Sequence, residues 1–344
     1  MACASAPRVF LGNSVPTREG SFSAGLTLLR TEAEVRLWEE ELPPSPVQLA
    51  ALLRGCDGAL TLLTDAITGE VLDREPRLRV VSNFAVGHDN VDVPAATARG
   101  VVVCNTPGVL TETTADFAWA LLMAAARRVV EGADYVRAGK WRTWGPMLLR
   151  GRDLTGATLG IVGFGRIGRE VAKRARGFEM TVLAYDEHED EPAARELGAT
   201  YVPLDDLLRQ ADFVTLHVAL TPETEQLIGA RELELMKPEA ILVNAARGPV
   251  VDTDALVAAL RDGTIGGAAL DVTDPEPLSA DHPLLALPNA LVVPHMASAT
   301  VATRDRMAVL AAENLLAALR GERPAGIVNP EVLADKPTEP GNDR

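Results

Sequence analysis

Short apolar runs of four or five residues alternate with longer stretches of helical periodicity along almost the whole chain. This alternation predicts parallel strands joined by helices, an α/β architecture. In the first third the predicted strands are 8–11, 59–63, 78–81 and 101–104. The turn residues Asn105-Thr106-Pro107-Gly108 then break the pattern, and a long helix is expected over about 112–130. Further strands are predicted at 159–162, 181–185, 213–217, 240–244, 267–270 and 290–293, which is the number needed for a complete doubly wound nucleotide domain. After Pro294 a last helix, about 300–320, has no strand behind it. Residues 331–344 are rich in Pro, Asp and Glu and are expected to form a disordered tail.

The predicted organisation is therefore two doubly wound domains. A dinucleotide-binding domain over 107–298 sits in the middle of the chain, and 1–106 with 299–330 make a discontinuous second domain. Crossings near Thr106 and near Ser298 would act as a hinge, with the ligand site expected between the domains. A length of 344 residues is sufficient for two such cores. With 47% hydrophobic and 24% charged residues the chain reads as globular, and its formal net charge of −15 argues against nucleic acid or anionic membranes as partners. The longest apolar stretch, 117–126, is too short to cross a bilayer. The N-terminus has no signal-peptide pattern, and the three cysteines, Cys3, Cys56 and Cys104, lack a paired spacing. A reducing, cytoplasmic setting is expected. His88, His188, His217 and His282 show no metal-ligand spacing, and no metal is expected.

Gly163-Phe164-Gly165-Arg166-Ile167-Gly168 follows one predicted strand and opens a helix, the context that a Gly-x-Gly-x-x-Gly dinucleotide fingerprint requires. The first glycine permits the turn, the second lets backbone approach a pyrophosphate, and the third lets helix pack on strand. Asp186, at the end of the next apolar run, lies 23 residues beyond Gly163, near the spacing of a carboxylate that hydrogen-bonds a ribose diol. A 2′-phosphate would meet Asp186 and Glu187, and the residues that follow offer no arginine. The predicted cofactor is therefore NAD(H) in preference to NADP(H).

Three polar residues stand just beyond predicted strands, where ligands bind in doubly wound sheets. Arg247 lies in Val243-Asn244-Ala245-Ala246-Arg247-Gly248, Glu276 in Asp271-Val272-Thr273-Asp274-Pro275-Glu276-Pro277-Leu278, and His295 in Pro294-His295-Met296-Ala297-Ser298. Together with the glycine turn, Val86-Gly87-His88-Asp89-Asn90-Val91-Asp92 and Asn105-Thr106-Pro107-Gly108-Val109-Leu110-Thr111-Glu112, these motifs resemble the D-isomer-specific 2-hydroxyacid dehydrogenases over about 55–325. The Asp271–Leu278 run and Trp141-Arg142-Thr143-Trp144 are most similar to the glyoxylate/hydroxypyruvate reductases of that family.

The resemblance implies a central Rossmann domain, a discontinuous flavodoxin-like substrate domain, and reduction of a small 2-oxo acid to the D-2-hydroxy acid. A guanidinium is planar, permanently charged and bidentate, so Arg247 suits a carboxylate clamp. An imidazole titrates near neutrality, so His295 suits proton donation, with Glu276 holding its tautomer and stabilising the imidazolium. By the same resemblance, the Val86 and Gly87 N–H groups bind the substrate carboxylate, Ser298 supports His295, and Ala245 and Asp271 line the cofactor site. The 141–144 segment reaches a neighbouring subunit, which implies a homodimer. His217 could approach the cofactor, although packing is the plainer expectation, and Thr221-Pro222 reads as a helix start. Two other readings stand beside the reductase: an NAD(H)-sensing corepressor-like protein, and a phosphoglycerate dehydrogenase. Against the latter, the chain lacks a long C-terminal extension and a basic cluster for a second phosphate.

Overall fold

The computed structural model describes residues 6–12 and 22–334. It divides into two compact units, one reaching Leu110 and resuming at Ala299, the other spanning Thr111–Ser298. The first unit holds a parallel sheet of five strands, β1 (Arg8–Leu11), β2 (Glu34–Leu37), β3 (Gly58–Thr61), β4 (Val80–Asn83) and β5 (Val102–Cys104). Their order, β2-β1-β3-β4-β5, is the flavodoxin-like arrangement. The predicted crossing at Thr106 lies four residues too early. Asn105 N–H donates to Gly326 O and Thr106 N–H to Ala85 O, so the Asn105-Thr106 turn stays with the first unit and the chain leaves only at Leu110.

The second unit carries seven parallel strands: β6 (Thr158–Val162), β7 (Thr181–Tyr185), β8 (Ala199–Tyr201), β9 (Phe213–Leu216), β10 (Ile241–Asn244), β11 (Gly267–Leu270) and β12 (Ala290–Val292). The order β12-β11-β10-β9-β6-β7-β8 reverses direction between β6 and β9, the switch point at which a doubly wound sheet binds its ligand. Central strands read as unbroken apolar runs because helices cover both faces: all four residues of β9, β10 and β11 are buried. One face packs on the helices Thr111–Ala126 and Arg166–Ala175, the other on Leu204–Gln210 and Thr253–Asp262. Each buried Val, Leu or Ile side chain there contributes roughly 1.5–3 kcal/mol.

The structure adds two strands to those expected. β8 has three residues at a sheet edge, and β2 has an exposed or half-exposed Glu-Val-Arg-Leu face, so neither carries the apolar run that marks a strand. The helix predicted over 112–130 ends at Ala126, and a second helix, Val129–Arg137, begins after Arg128 at φ 52°. The cause lies far along the chain: Arg152 N–H donates to Ala126 O at 2.8 Å, and a Cβ on Gly151 would stand 2.3 Å from that same oxygen. The tail predicted from Glu331 begins instead as a helical turn, Glu331–Ala334, with Val332 buried. Asn329 holds it there through bonds to Val103 N–H and Val101 O. The remainder of the predicted tail, and Cys3, lie outside the described residues. Cys56 and Cys104 are buried thiols, and among the described residues no helix is long and apolar enough to cross a membrane.

Candidate active site

β6 runs directly into the glycine turn. Gly163 takes φ +94°, and a Cβ there would lie 2.6 Å from the His217 carbonyl carbon and Val218 nitrogen, so only glycine admits the switch-point strands this close. A Cβ on Gly168 would lie 2.1 Å from Gly163 O, whereas one on Gly165 would meet nothing within 4 Å. The turn is thus packed on one side and open on the other. The helix Arg166–Ala175 starts at Gly165 with no side-chain cap, leaving its first-turn N–H groups without intrahelical acceptors. That geometry suits a pyrophosphate.

The Phe164 ring is buried and meets Tyr201 edge-on at 5.6 Å, so this residue offers backbone, not side chain, to the site. Phe164 N–H donates to Asp186 Oδ2 at 2.7 Å, and His188 N–H donates to Oδ1 at 2.9 Å. The carboxylate is thereby fixed at the end of β7 beside the glycine turn. The absence of an arginine, read from the residues after Asp186, needs correction. Arg169 Nε donates to Phe164 O at 3.0 Å from the following helix. Its charge is matched by Asp190 at 2.9 Å.

At the end of β10, Asn244 shapes the turn that follows: Oδ1 accepts Ala246 N–H at 3.0 Å and Nδ2 donates to Arg247 O at 2.8 Å. Ala245 is buried within it. Arg247 is half-buried, with Nη1 donating to Ala246 O at 2.8 Å. The next residue must be glycine, since a Cβ on Gly248 would stand 1.9 Å from Thr273 O. This contact lays the Arg247 turn against the loop that carries Glu276.

Glu276 Oε1 lies 2.6 Å from His295 Nδ1, and Oε2 accepts Thr273 N–H at 3.3 Å. Burial pushes the Glu276 carboxyl up, but the bond and charge of His295, the Thr273 N–H and the Arg247 charge outweigh it and hold the group below its ordinary value. An ionised Glu276 accepts from Nδ1–H, which leaves Nε2 as the atom able to exchange a proton with a ligand. His295 adopts φ 48°, a conformation unfavourable for a side-chain residue. Asp271 holds it: Asp271 O accepts His295 N–H at 2.8 Å, and the buried carboxylate accepts Met296 N–H at 2.7 Å and Ala297 N–H at 3.0 Å. Burial raises the Asp271 carboxyl even against these two bonds.

Asp271 therefore acts as the peg of the histidine turn. The support expected from Ser298 is absent among the described residues, where no hydrogen bond joins it to His295. Val86 and Gly87 lie in the first unit, directly beyond β4. His217 is a packing residue. Its Nε2 meets Thr215 Oγ1 at 2.9 Å, Nδ1 is enclosed without a partner, and burial pushes the imidazole down to about 3. Thr221 starts no helix. Its N–H donates to Thr224 Oγ1, whose hydroxyl reaches back to Ala219 O, closing a turn instead. Among the described residues no group of acidic, cysteine and histidine side chains could hold a metal.

The profile of the D-isomer specific 2-hydroxyacid dehydrogenase NAD binding domain matches residues 119–297. The chain belongs to that family. A glyoxylate reductase of Korarchaeum cryptofilum is 53% identical over 332 residues, covering 96% of this chain and 98% of its own. One of Thermococcus gammatolerans is 48% identical over 334 residues, covering 96% and 98%. Among solved structures, an NADPH-dependent glyoxylate/hydroxypyruvate reductase of Sinorhizobium meliloti, in complex with NADP and malonate, is 34% identical, with a TM-score of 0.83 and coverage of 94% and 97%. A Thermus thermophilus protein is 48% identical at a TM-score of 0.84, covering 93% and 99%. This dehydrogenase thus has a Rossmann NAD-binding domain and a discontinuous substrate domain, as the motifs implied.

Proposed function

We propose that the chain catalyses NADH-dependent reduction of a small 2-oxo acid, glyoxylate or hydroxypyruvate in preference, to the D-2-hydroxy acid. The observation that carries this reading is the 2.6 Å bond from His295 Nδ1 to Glu276, on the domain whose glycine turn and Asp186 suit a dinucleotide. The near-full-length similarity to glyoxylate reductases supports the substrate class. The nicotinamide, when bound, supplies a hydride to the carbonyl carbon. His295 Nε2 gives its proton to the carbonyl oxygen, Glu276 stabilises the imidazolium before transfer, and solvent later restores the proton. Arg247 forks onto the carboxylate and polarises the ketone. Val86 and Gly87 N–H groups and Ser298 complete the substrate contacts, while residues 163–168, Asp186, Ala245 and Asp271 serve the cofactor. A panel of kcat/KM values for glyoxylate, hydroxypyruvate, pyruvate and phosphohydroxypyruvate, each with NADH and NADPH, tests the reading. Failure to oxidise either cofactor with any of them would refute it, and a phosphohydroxypyruvate preference would favour phosphoglycerate dehydrogenase.

Asp186 carries the cofactor preference. A 2′-phosphate beside a carboxylate already fixed by Phe164 and His188 meets like charge in a partly buried setting, which costs several kcal/mol. Wild-type protein should prefer NADH by about 10²-fold in kcat/KM, and Asp186→Ser with Glu187→Arg should raise NADPH use at least about tenfold. A wild type that prefers NADPH would contradict this assignment.

A homodimer is part of the same proposal. Trp144 is 78% exposed, and Val129, Val136, Trp141 and Met147 are exposed on the same helix-and-loop segment, an unusual concentration of large apolar side chains for a lone subunit. Sedimentation should give twice the chain mass, and Trp141→Ser with Trp144→Ser should shift it towards the monomer. A wild-type monomer at micromolar concentration would exclude the dimer.

A further inference from the structure

Resting on the reading that the Val86 and Gly87 N–H groups bind the substrate carboxylate, we propose that Asn105 is a positioning residue that aims the Gly87 N–H by holding the opposite Val86 carbonyl, with Asn83 steadying the peptide that follows. Three consecutive carbonyls beyond β4 are each occupied by a donor from the body of the first unit. Ala85 O accepts Thr106 N–H at 2.8 Å, Val86 O accepts Asn105 Nδ2 at 2.7 Å, and Gly87 O accepts Asn83 Nδ2 at 2.9 Å. A trans peptide is planar and directs its N–H opposite its C=O. Drawing the carbonyl of residue 85 inward therefore turns the Val86 N–H outward, and drawing in that of residue 86 turns out the Gly87 N–H. Both residues lie past the paired registers of β4, so the loop presents successive donors on one side, the arrangement that receives an anion.

The two asparagines are themselves held by further bonds. Asn83 is buried at the last position of β4: its Oδ1 accepts Thr61 Oγ1–H at 3.0 Å, and its Nδ2 also reaches Asn90 Oδ1 at 2.9 Å. Asn90 then donates to Leu62 O at 3.0 Å and Asp65 O at 2.9 Å, tying the loop beyond β3 to the loop beyond β4. On the other side, Asn105 N–H donates to Gly326 O at 2.8 Å, and Asn105 O accepts Asn314 Nδ2 at 2.9 Å from the helix Val301–Arg320. An amide suits this task because it donates to a carbonyl without adding charge beside an incoming carboxylate. An aspartate at either place would remove the donor and repel the ligand.

The test uses the whole enzyme. Asn105→Ser and Asn105→Asp should raise KM for glyoxylate by about tenfold and about 10²-fold, with kcat within about threefold and the dissociation constant for NADH unchanged. Inhibition by oxamate, a carboxylate that accepts no hydride, should weaken by the same factors. Asn83→Ser, which frees the Gly87–His88 peptide next to the aimed donor, provides the second variant should the first fold poorly. A fall in kcat and melting temperature with KM and oxamate inhibition unmoved would overturn the inference and mark a merely structural role. A wild type that binds neither glyoxylate nor oxamate would overturn the underlying reading itself, an outcome visible before any variant is made.

Discussion

His295→Ala is expected to lower kcat for 2-oxo acid reduction by about 10²–10⁴-fold, the range that a positioned general acid contributes, while NADH binding stays within a small factor of wild type. The expectation rests on a histidine whose ring is committed at one nitrogen only. Nδ1 is held 2.6 Å from Glu276, and the backbone is locked at φ 48° by Asp271 O and the two N–H bonds that follow. Alanine removes the donor without disturbing these backbone bonds, so the loss should fall on chemistry rather than on folding or cofactor binding. Glu276 is held below its ordinary pKa by the histidine pair, the Thr273 N–H and the Arg247 charge, against its burial. A depressed carboxylate stays ionised until the pH falls below the usual carboxylate range. The imidazole therefore keeps its partner across neutrality, and Glu276 protonation adds no acid-side loss there. A kcat for His295→Ala within tenfold of wild type, measured by NADH oxidation under saturating glyoxylate, would remove the histidine from the proposed role.

Arg247→Lys is expected to lower kcat/KM by about 10²-fold, and Arg247→Ala by about 10³-fold, with NADH affinity again preserved. Charged hydrogen bonds contribute about 1.5–3 kcal/mol each, and a guanidinium can make two in one plane where an ammonium cannot. Loss of the clamp should appear in KM, and loss of ketone polarisation in kcat, so both should move. The turn that carries Arg247 is built from backbone and Asn244 bonds. The lysine variant should therefore fold like wild type, as a melting curve would verify. A lysine enzyme within threefold of wild type in kcat/KM would show that bidentate recognition is not in use.

Much of this site could be read directly from the chain because its chemistry sits in local motifs. The glycine turn, Asp186, Arg247, Glu276 and His295 each follow an apolar run, and a parallel strand places its C-terminal neighbour at the ligand edge whatever the rest of the fold does. The pairing of His295 with Glu276 was expected from roles and is now a distance. Other features were invisible for an equally physical reason. The motif did not show that the Asp271 carboxylate also holds backbone N–H groups 25 and 26 positions away. Nothing local singled out Gly248, where a Cβ would stand 1.9 Å from Thr273 O. The break after Ala126 needed Arg152, and the cation near Asp186 came from the helix ahead of it, not the loop behind.

Strand and helix order, the glycine turn and the choice of candidate site residues all follow from short-range patterns, because periodicity and turn chemistry act between near neighbours. Edge strands with exposed faces, the kinked helix, the peg under His295 and the carbonyl pins behind Val86 and Gly87 do not. Most depend on a donor meeting an acceptor well along the chain, 19 residues away for Asn105 and Val86 and 25 for Asp271 and Met296, and no local pattern encodes which carbonyl a distant N–H will find once the sheets have closed.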